Sequence, residues 1–182
     1  MRARRQVAVL WLTALACALV AAAPPARARA PAVDAPAPPF VAQTPAGERF
    51  DLAQLRGKVV LLHFWATWCD SCRTEMPALA HVYADLHARG LELLTVSADD
   101  PHERRAAIDM ARLHGLPAVL LDAARPNGFG APPVLPLTYV IDRGGLLRAR
   151  LLPARTPLTE DGLRAVLAPL LDAAPSPPVS GQ

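Results

Sequence analysis

The feature that most restricts this chain is an apolar run, VVLLHFW at residues 59–65, that leads within four residues into the pair Cys69-Asp70-Ser71-Cys72. A short continuous run rich in Val and aromatic residues reads as a central strand buried on both faces. Beyond it, Met76, Leu79, Tyr83 and Leu86 recur at helical spacing and form one apolar stripe. That helix is expected to start at Ser71 or Cys72 and to stop at Gly90. Residues 91–97 (LELLTVS) read as a second buried strand. Strand, helix, strand in that order is a parallel crossover unit.

The pattern continues. Asp99 and Asp100 are read as caps of a helix over residues 101–114, with Pro101 in its first turn and Gly115 at its end. Residues 118–121, 138–141 and 146–151 read as strands, and Arg143-Gly144-Gly145 is a hairpin signal between the last two. Leu163, Val166, Leu167, Leu170 and Leu171 share one face of a last helix, with Thr159 as its N-cap. The expected class is α/β, a central mixed β-sheet with helices on both faces and the hairpin as an antiparallel edge.

The ends are different in kind. Arg2, Arg4 and Arg5 precede apolar residues from Val7 to Val20, which reads as a secretory signal or an N-terminal anchor over residues 1–22. Val20-Ala21-Ala22 and Ala26-Arg27-Ala28 both suit cleavage, and a retained leader is the alternative. Cys17 as a lipid-attachment residue fits poorly after Ala14-Leu15-Ala16. Residues 23–39 are an Ala/Pro-rich linker, residues 40–172 the folded domain, and residues 173–182 a disordered tail. The net charge of +3 belongs to the leader, since removing its three arginines gives 3 − 3 = 0. A neutral domain offers no footing for nucleic acid. The domain is expected outside the cytoplasm, periplasmic or extracytoplasmic, and as a monomer.

With the leader gone, only Cys69 and Cys72 remain. Two cysteines three apart close too small a loop to stabilise a fold, so they are present for chemistry or for a metal. Cys69 would stand where a strand ends and a helix begins, where free backbone N–H groups and the helix dipole favour a thiolate. Cys72 lies within one turn of it. That suits an exchange in which Cys69 attacks a substrate disulfide and Cys72 resolves the mixed disulfide.

The stretch from Phe64 through Trp68-Cys69-Asp70-Ser71-Cys72-Arg73-Thr74-Glu75-Met76-Pro77 resembles the active site of TlpA-like thioredoxins, which are periplasmic or membrane-tethered thiol–disulfide oxidoreductases. Arg56-Gly57-Lys58 resembles the family's lead-in. Val134-Leu135-Pro136-Leu137-Thr138 resembles its cis-proline loop. The likeness covers nearly all of residues 40–171. It implies a thioredoxin fold, with Pro136 cis and facing the cysteines. It implies that Glu75 tunes thiol acidity and substrate fit, and that Trp68 shields the disulfide and helps dock a partner. Pro77 is read as a helix kink. His63 takes the place of a buried acid that accepts a proton in cytoplasmic thioredoxins; it is read as a proton relay or as a satisfied strand histidine. Disulfide-containing proteins are the implied substrates, including in cytochrome c maturation, and a membrane thiol is the implied electron donor. No cofactor is expected beyond the Cys69–Cys72 disulfide.

Asp70-Ser71 departs from the commoner pattern, which has Pro before the second cysteine. A carboxylate beside Cys69 is expected to raise its thiol pKa and make the protein a reductant. Oxidation or isomerisation of disulfides is the alternative direction. A copper-delivery module is a lesser alternative, since copper-delivery proteins of the resembled fold have three residues between their cysteines; zinc carriage lacks paired histidines near the cysteines. Peroxidase chemistry wants a lone cysteine after a different approach. The segment RPNGFGAPP at residues 125–133 replaces a short helix of the relatives and is read either as a shaper of substrate choice or as loop variation.

Overall fold

A computed structural model describes residues 30–152 and 158–173. The signal or anchor expected at 1–22, linker residues 23–29 and tail residues 174–182 lie outside the described residues. The elements are β1 (Val41–Gln43), β2 (Arg49–Asp51), β3 (Val59–Trp65), α1 (Asp70–Leu86), β4 (Leu91–Ser97), α2 (Arg104–Leu113), β5 (Ala118–Leu120), β6 (Leu137–Ile141), β7 (Leu147–Leu151) and α3 (Glu160–Asp172). β1 and β2 form a small antiparallel pair, and the other strands make one mixed sheet in the order β5-β4-β3-β6-β7.

β3 is buried along its whole length because it has a neighbour on each edge and a core on each face. Val59, Leu61 and Trp65 point into a core with Met76, Leu79 and Val82 of α1. Val60, Leu62 and Phe64 point the other way, into a core with Phe40, Phe129 and Tyr139. The alternation is that of any strand, with both of its faces apolar.

The mixed sheet is as expected, and the helices divide unequally between its faces. The buried side chains of α1, α2 and α3 all fall in the first core. The second face is covered by the β1–β2 pair, a 3-10 turn at Leu52–Leu55 and the loop that carries Phe129. The cause is topological. The steps β3→α1→β4 and β4→α2→β5 move the same way along the sheet. Right-handed crossovers that step the same way place both helices on one face.

The Ala/Pro-rich segment is not all spacer. Asp34 N–H donates to Leu147 O at 2.7 Å, Leu147 N–H to Ala35 O at 2.9 Å and Ala37 N–H to Gly145 O at 2.9 Å. Arg148 bridges Asp34 and Asp142 at 2.9 and 2.6 Å. Residues 34–37 therefore run along the β6–β7 hairpin and blunt its edge. β6 is antiparallel to β3, so this hairpin lies at the end of the sheet opposite the cysteines.

Candidate active site

Register builds the site. Phe64 pairs with Leu137, and His63 with Thr138. β3 leaves the sheet at Trp65 and reaches Cys69 four residues later, and β6 enters from Pro136 at the same end. The Leu135–Pro136 bond is cis, and so is Arg125–Pro126, which nothing in the sequence marked out.

Cys69 is the N-cap of α1. Its backbone is extended and its Sγ accepts from Cys72 N–H at 3.3 Å. An orphan donor of the first turn is thus aimed at the sulfur, and in the reduced protein the same N–H would face a thiolate. The two cysteines are joined as a disulfide with 5.3 Å between their Cα atoms. Cys69 keeps 7% of its surface exposed and Cys72 none. Cys69 lines a groove of about 700 Å³ with Trp68, Asp70, Ser71, Ala98, Val134 and Leu135, whereas Cys72 does not. Trp68 stands over the rim with 67% of its surface exposed. Ser71 Oγ lies 3.6 Å from Cys69 Sγ, a contact and little more.

The groove's far wall is made by residues 131–135 and is held by an aromatic cluster. Phe129 packs edge to face on Phe40 at 6.2 Å and against Tyr139 at 4.8 Å between ring centroids. Asn127 Oδ1 accepts from the N–H groups of Phe129 and Gly130, both at 3.2 Å. A Cβ on Gly128 would come within 2.6 Å of Pro38, so that position admits only glycine without a shift of Pro38 and Pro39. The segment read as a possible shaper of substrate choice thus forms one side of the groove.

The supporting residues divide. Glu75 is half-buried on α1, one turn beyond Cys72, and its Oε2 is buried without a hydrogen-bond partner. Burial pushes its carboxyl up to about 7. His63 is fully buried on the α1 side of the sheet, with Nδ1 2.8 Å from Thr138 Oγ1 and Nε2 unpartnered. Burial lowers its imidazole to about 3, so it is neutral at neutral pH. Of the two, the carboxyl is the group that titrates near neutrality. Asp70 is not a bare charge: Arg73 Nη2 lies 2.6 Å from its Oδ1. The same guanidinium donates from Nη1 to Thr67 O at 3.1 Å.

Two participants were missed by the sequence reading. Arg73 carried no assignment there. Asp99 was read as a cap, but Asp100 alone caps the following turn, and Asp99 turns inward to Thr67. The signal was the doubled Asp, since one cap needs one carboxylate.

A strained loop is not needed to make such a pair reactive; a helix start that presents one sulfur and hides the other suffices. The chain is a thiol–disulfide oxidoreductase of thioredoxin fold. It belongs to the AhpC/TSA family, which it matches over residues 33–150. Among its relatives is the thiol-disulfide oxidoreductase ResA of Geobacillus thermodenitrificans, 34% identical over 64% of this chain and 67% of that protein. ResA of Bacillus subtilis is 33% identical over 60% of this chain and 61% of its own length. A solved thiol:disulfide interchange protein of the thioredoxin family from Chlorobium tepidum superposes with a TM-score of 0.62 at 25% identity, over 78% of this chain and 99% of its own. A secreted thiol-disulfide isomerase from Corynebacterium glutamicum gives 0.62 at 26% identity, over 75% of this chain and 85% of its own.

Proposed function

We propose that the protein reduces protein disulfides outside the cytoplasm, with Cys69 as the attacking and Cys72 as the resolving thiol. The observation that carries this is the unequal placement of the two sulfurs: Cys69 opens on the groove, and Cys72 is sealed beneath it. In the reduced protein the Cys69 thiolate attacks one sulfur of a substrate disulfide. A Cys69–substrate disulfide forms and one substrate thiolate leaves. Cys72 then attacks Cys69 Sγ, the Cys69–Cys72 disulfide closes, and the second substrate thiolate leaves. Two electrons pass to the substrate, and an external dithiol restores them.

Cys72 must lose a proton in a dry site. Glu75 follows it on the same helix face with a carboxyl held near 7, which suits it to take that proton and to return it. His63, neutral and tied to Thr138, is in this scheme a fixed dipole behind the cysteines. The substrate lies as an extended segment along residues 134–136, with Trp68 against it. The cysteine pair of an apocytochrome is the substrate class suggested by the family resemblance. The donor is a membrane dithiol, and the N-terminal segment delivers or tethers a monomer to that compartment. The relative described as secreted supports the location.

Replacing Cys72 by Ser tests the scheme. It should accumulate mixed disulfides through Cys69 with the natural partners, and Cys69→Ser should accumulate none. Trapping through Cys72 in the Cys69→Ser protein would reverse the assignment, and a chain recovered wholly oxidised from cells with an intact donor pathway would reverse the direction.

A further inference from the structure

Asp99 is 6% exposed, and its carboxylate accepts from Thr67 and Ser97. Thr67 N–H donates to both of its oxygens, at 3.1 and 3.0 Å, and Thr67 Oγ1 donates at 2.7 Å. Ser97 Oγ donates at 2.6 Å and itself accepts from Asp99 N–H at 3.1 Å. A buried carboxylate is tolerated only when so supplied. The proposed exchange makes no direct use of it.

Its place gives it a use. Thr67 lies two residues before Cys69, in the turn that carries the chain from β3 into α1. The N–H of Thr67 is held by Asp99, and its carbonyl by Arg73 at 3.1 Å. Cys69 N–H closes the turn on Ala66 O at 3.1 Å. Ala98 N–H donates to Trp65 O at 2.8 Å, and Ala98 lines the groove beside Cys69. The turn of residues 66–68 is therefore tied on each side, and the tie on the sheet side is a single carboxylate at the end of β4.

We propose that Asp99 is a positioning residue: it fixes the turn of residues 66–68, and so sets the angle at which Cys69 meets the free N–H groups of α1. This rests on Cys69 being the attacking thiol. A clamp that keeps Sγ in line with those donors keeps the thiol acidic, and a loosened turn loses that alignment. The charge of Asp99, acting alone at a distance, would do the opposite, since a nearby carboxylate raises a thiol pKa. The two effects have opposite signs, which makes them separable. The other charged groups about Cys69 are Asp70, Arg73 and Glu75 on its own helix. Residues 131–136 of the facing loop carry none, and His63 below is neutral.

The experiment uses the reduced full chain, alkylated with iodoacetamide across neutral pH. The labelled residue is identified by fragment-ion mass after cleavage before Asp70, which parts Cys69 from Cys72, so that Cys17, Cys69 and Cys72 are distinguished. Two variants are compared, with thermal unfolding read alongside. Asp99→Asn removes the charge and opposes an amide to the Thr67 donors. Thr67→Val keeps the charge and removes one tie. The clamp predicts that both raise the midpoint of Cys69 alkylation, by about half a pH unit, a roughly threefold fall in thiolate near neutrality. A midpoint lowered by Asp99→Asn and unmoved by Thr67→Val would make Asp99 a charge only, and overturn the proposal. So would two unmoved midpoints beside lowered unfolding temperatures. Label on Cys72 in the parent chain would sink the nucleophile assignment and this proposal with it; label on Cys69 with unmoved midpoints sinks this proposal alone.

Discussion

Glu75→Gln should stabilise the oxidised protein at alkaline pH and do little at acid pH. Burial raises the carboxyl from its ordinary 4.5 to about 7 in the folded chain. Between those values the native state holds a proton that the unfolded state has lost, so stability falls as pH rises through this window and is level above it. The interval from 4.5 to about 7, at 1.36 kcal/mol per pH unit, would come to about 3 kcal/mol for a sealed group. Glu75 is only half-buried, and screening by water reduces this to about 1–2 kcal/mol. Glutamine has the same shape and no charge to desolvate. Urea unfolding of both proteins across this pH range measures the difference. The oxidised form is the right one, because its cysteines do not titrate. His63 has the opposite slope: lowered from 6.5 to about 3, it costs stability as pH falls through that window. That slope is common to both proteins and cancels in the difference. A difference that is flat with pH, or that favours the parent above pH 7, would refute the placement of Glu75 as a desolvated carboxyl.

His63→Asn should flatten the acid limb of the same unfolding profile, since the parent loses stability between 6.5 and about 3 and the variant has no imidazole to charge; a limb unchanged in steepness would argue against the buried histidine as its source. Phe129→Ala should cost about 3–5 kcal/mol in chemical denaturation, as expected for a core aromatic. It should also raise KM for a protein disulfide more than it lowers kcat, because the groove wall at residues 131–135 loses its anchor; an unaltered KM would detach that wall from substrate binding. Arg73→Ala should raise the Cys69 thiol pKa by a few tenths of a pH unit and Asp70→Asn should lower it by as much, read by alkylation rate. The reduction potential, set against glutathione, should fall nearer about −270 than −120 mV, and a value above about −180 mV would turn the reading toward an oxidase.

Much of the fold was legible because single segments carried it. β4 was read at its observed residues, Leu91–Ser97, and β3 at Val59–Trp65, since an all-apolar run has one stable place in a sheet. The N-cap at Thr159 and the left-handed Gly90 that ends the turn after α1 are local chemistry and were read locally. The placement of α2 was not local. It depends on β5 falling outside β4, and Ala118–Leu120 reads the same at either edge. The strap at residues 34–37 was hidden for a different reason: an Ala/Pro composition records only that a segment forms no helix or strand of its own, not that its backbone has found the edge of one.

The site shows the same division between what a residue is and what stands next to it. Cys69 and Cys72 declared themselves by spacing and Trp68 by the family resemblance, and the structure puts Cys69 and Trp68 on the groove. Asp70 declared a negative charge next to Cys69, and from that charge alone a weakened thiolate follows. Arg73, one turn on, changes the sum: its guanidinium lies on Asp70 while also holding the carbonyl of Thr67. Both groups are exposed, so the pair is worth little as a salt bridge. Its effect on the sulfur is another matter, because opposite charges 2.6 Å apart present a dipole, not a charge, to a third group. The case for a reductant therefore weakens at Asp70. What the site keeps is a proton balance for the proposed exchange: a buried Cys72 and, one turn on, a carboxyl that burial raises to about 7 would let the thiol be charged only as it attacks, in whichever direction the partner's potential drives the exchange.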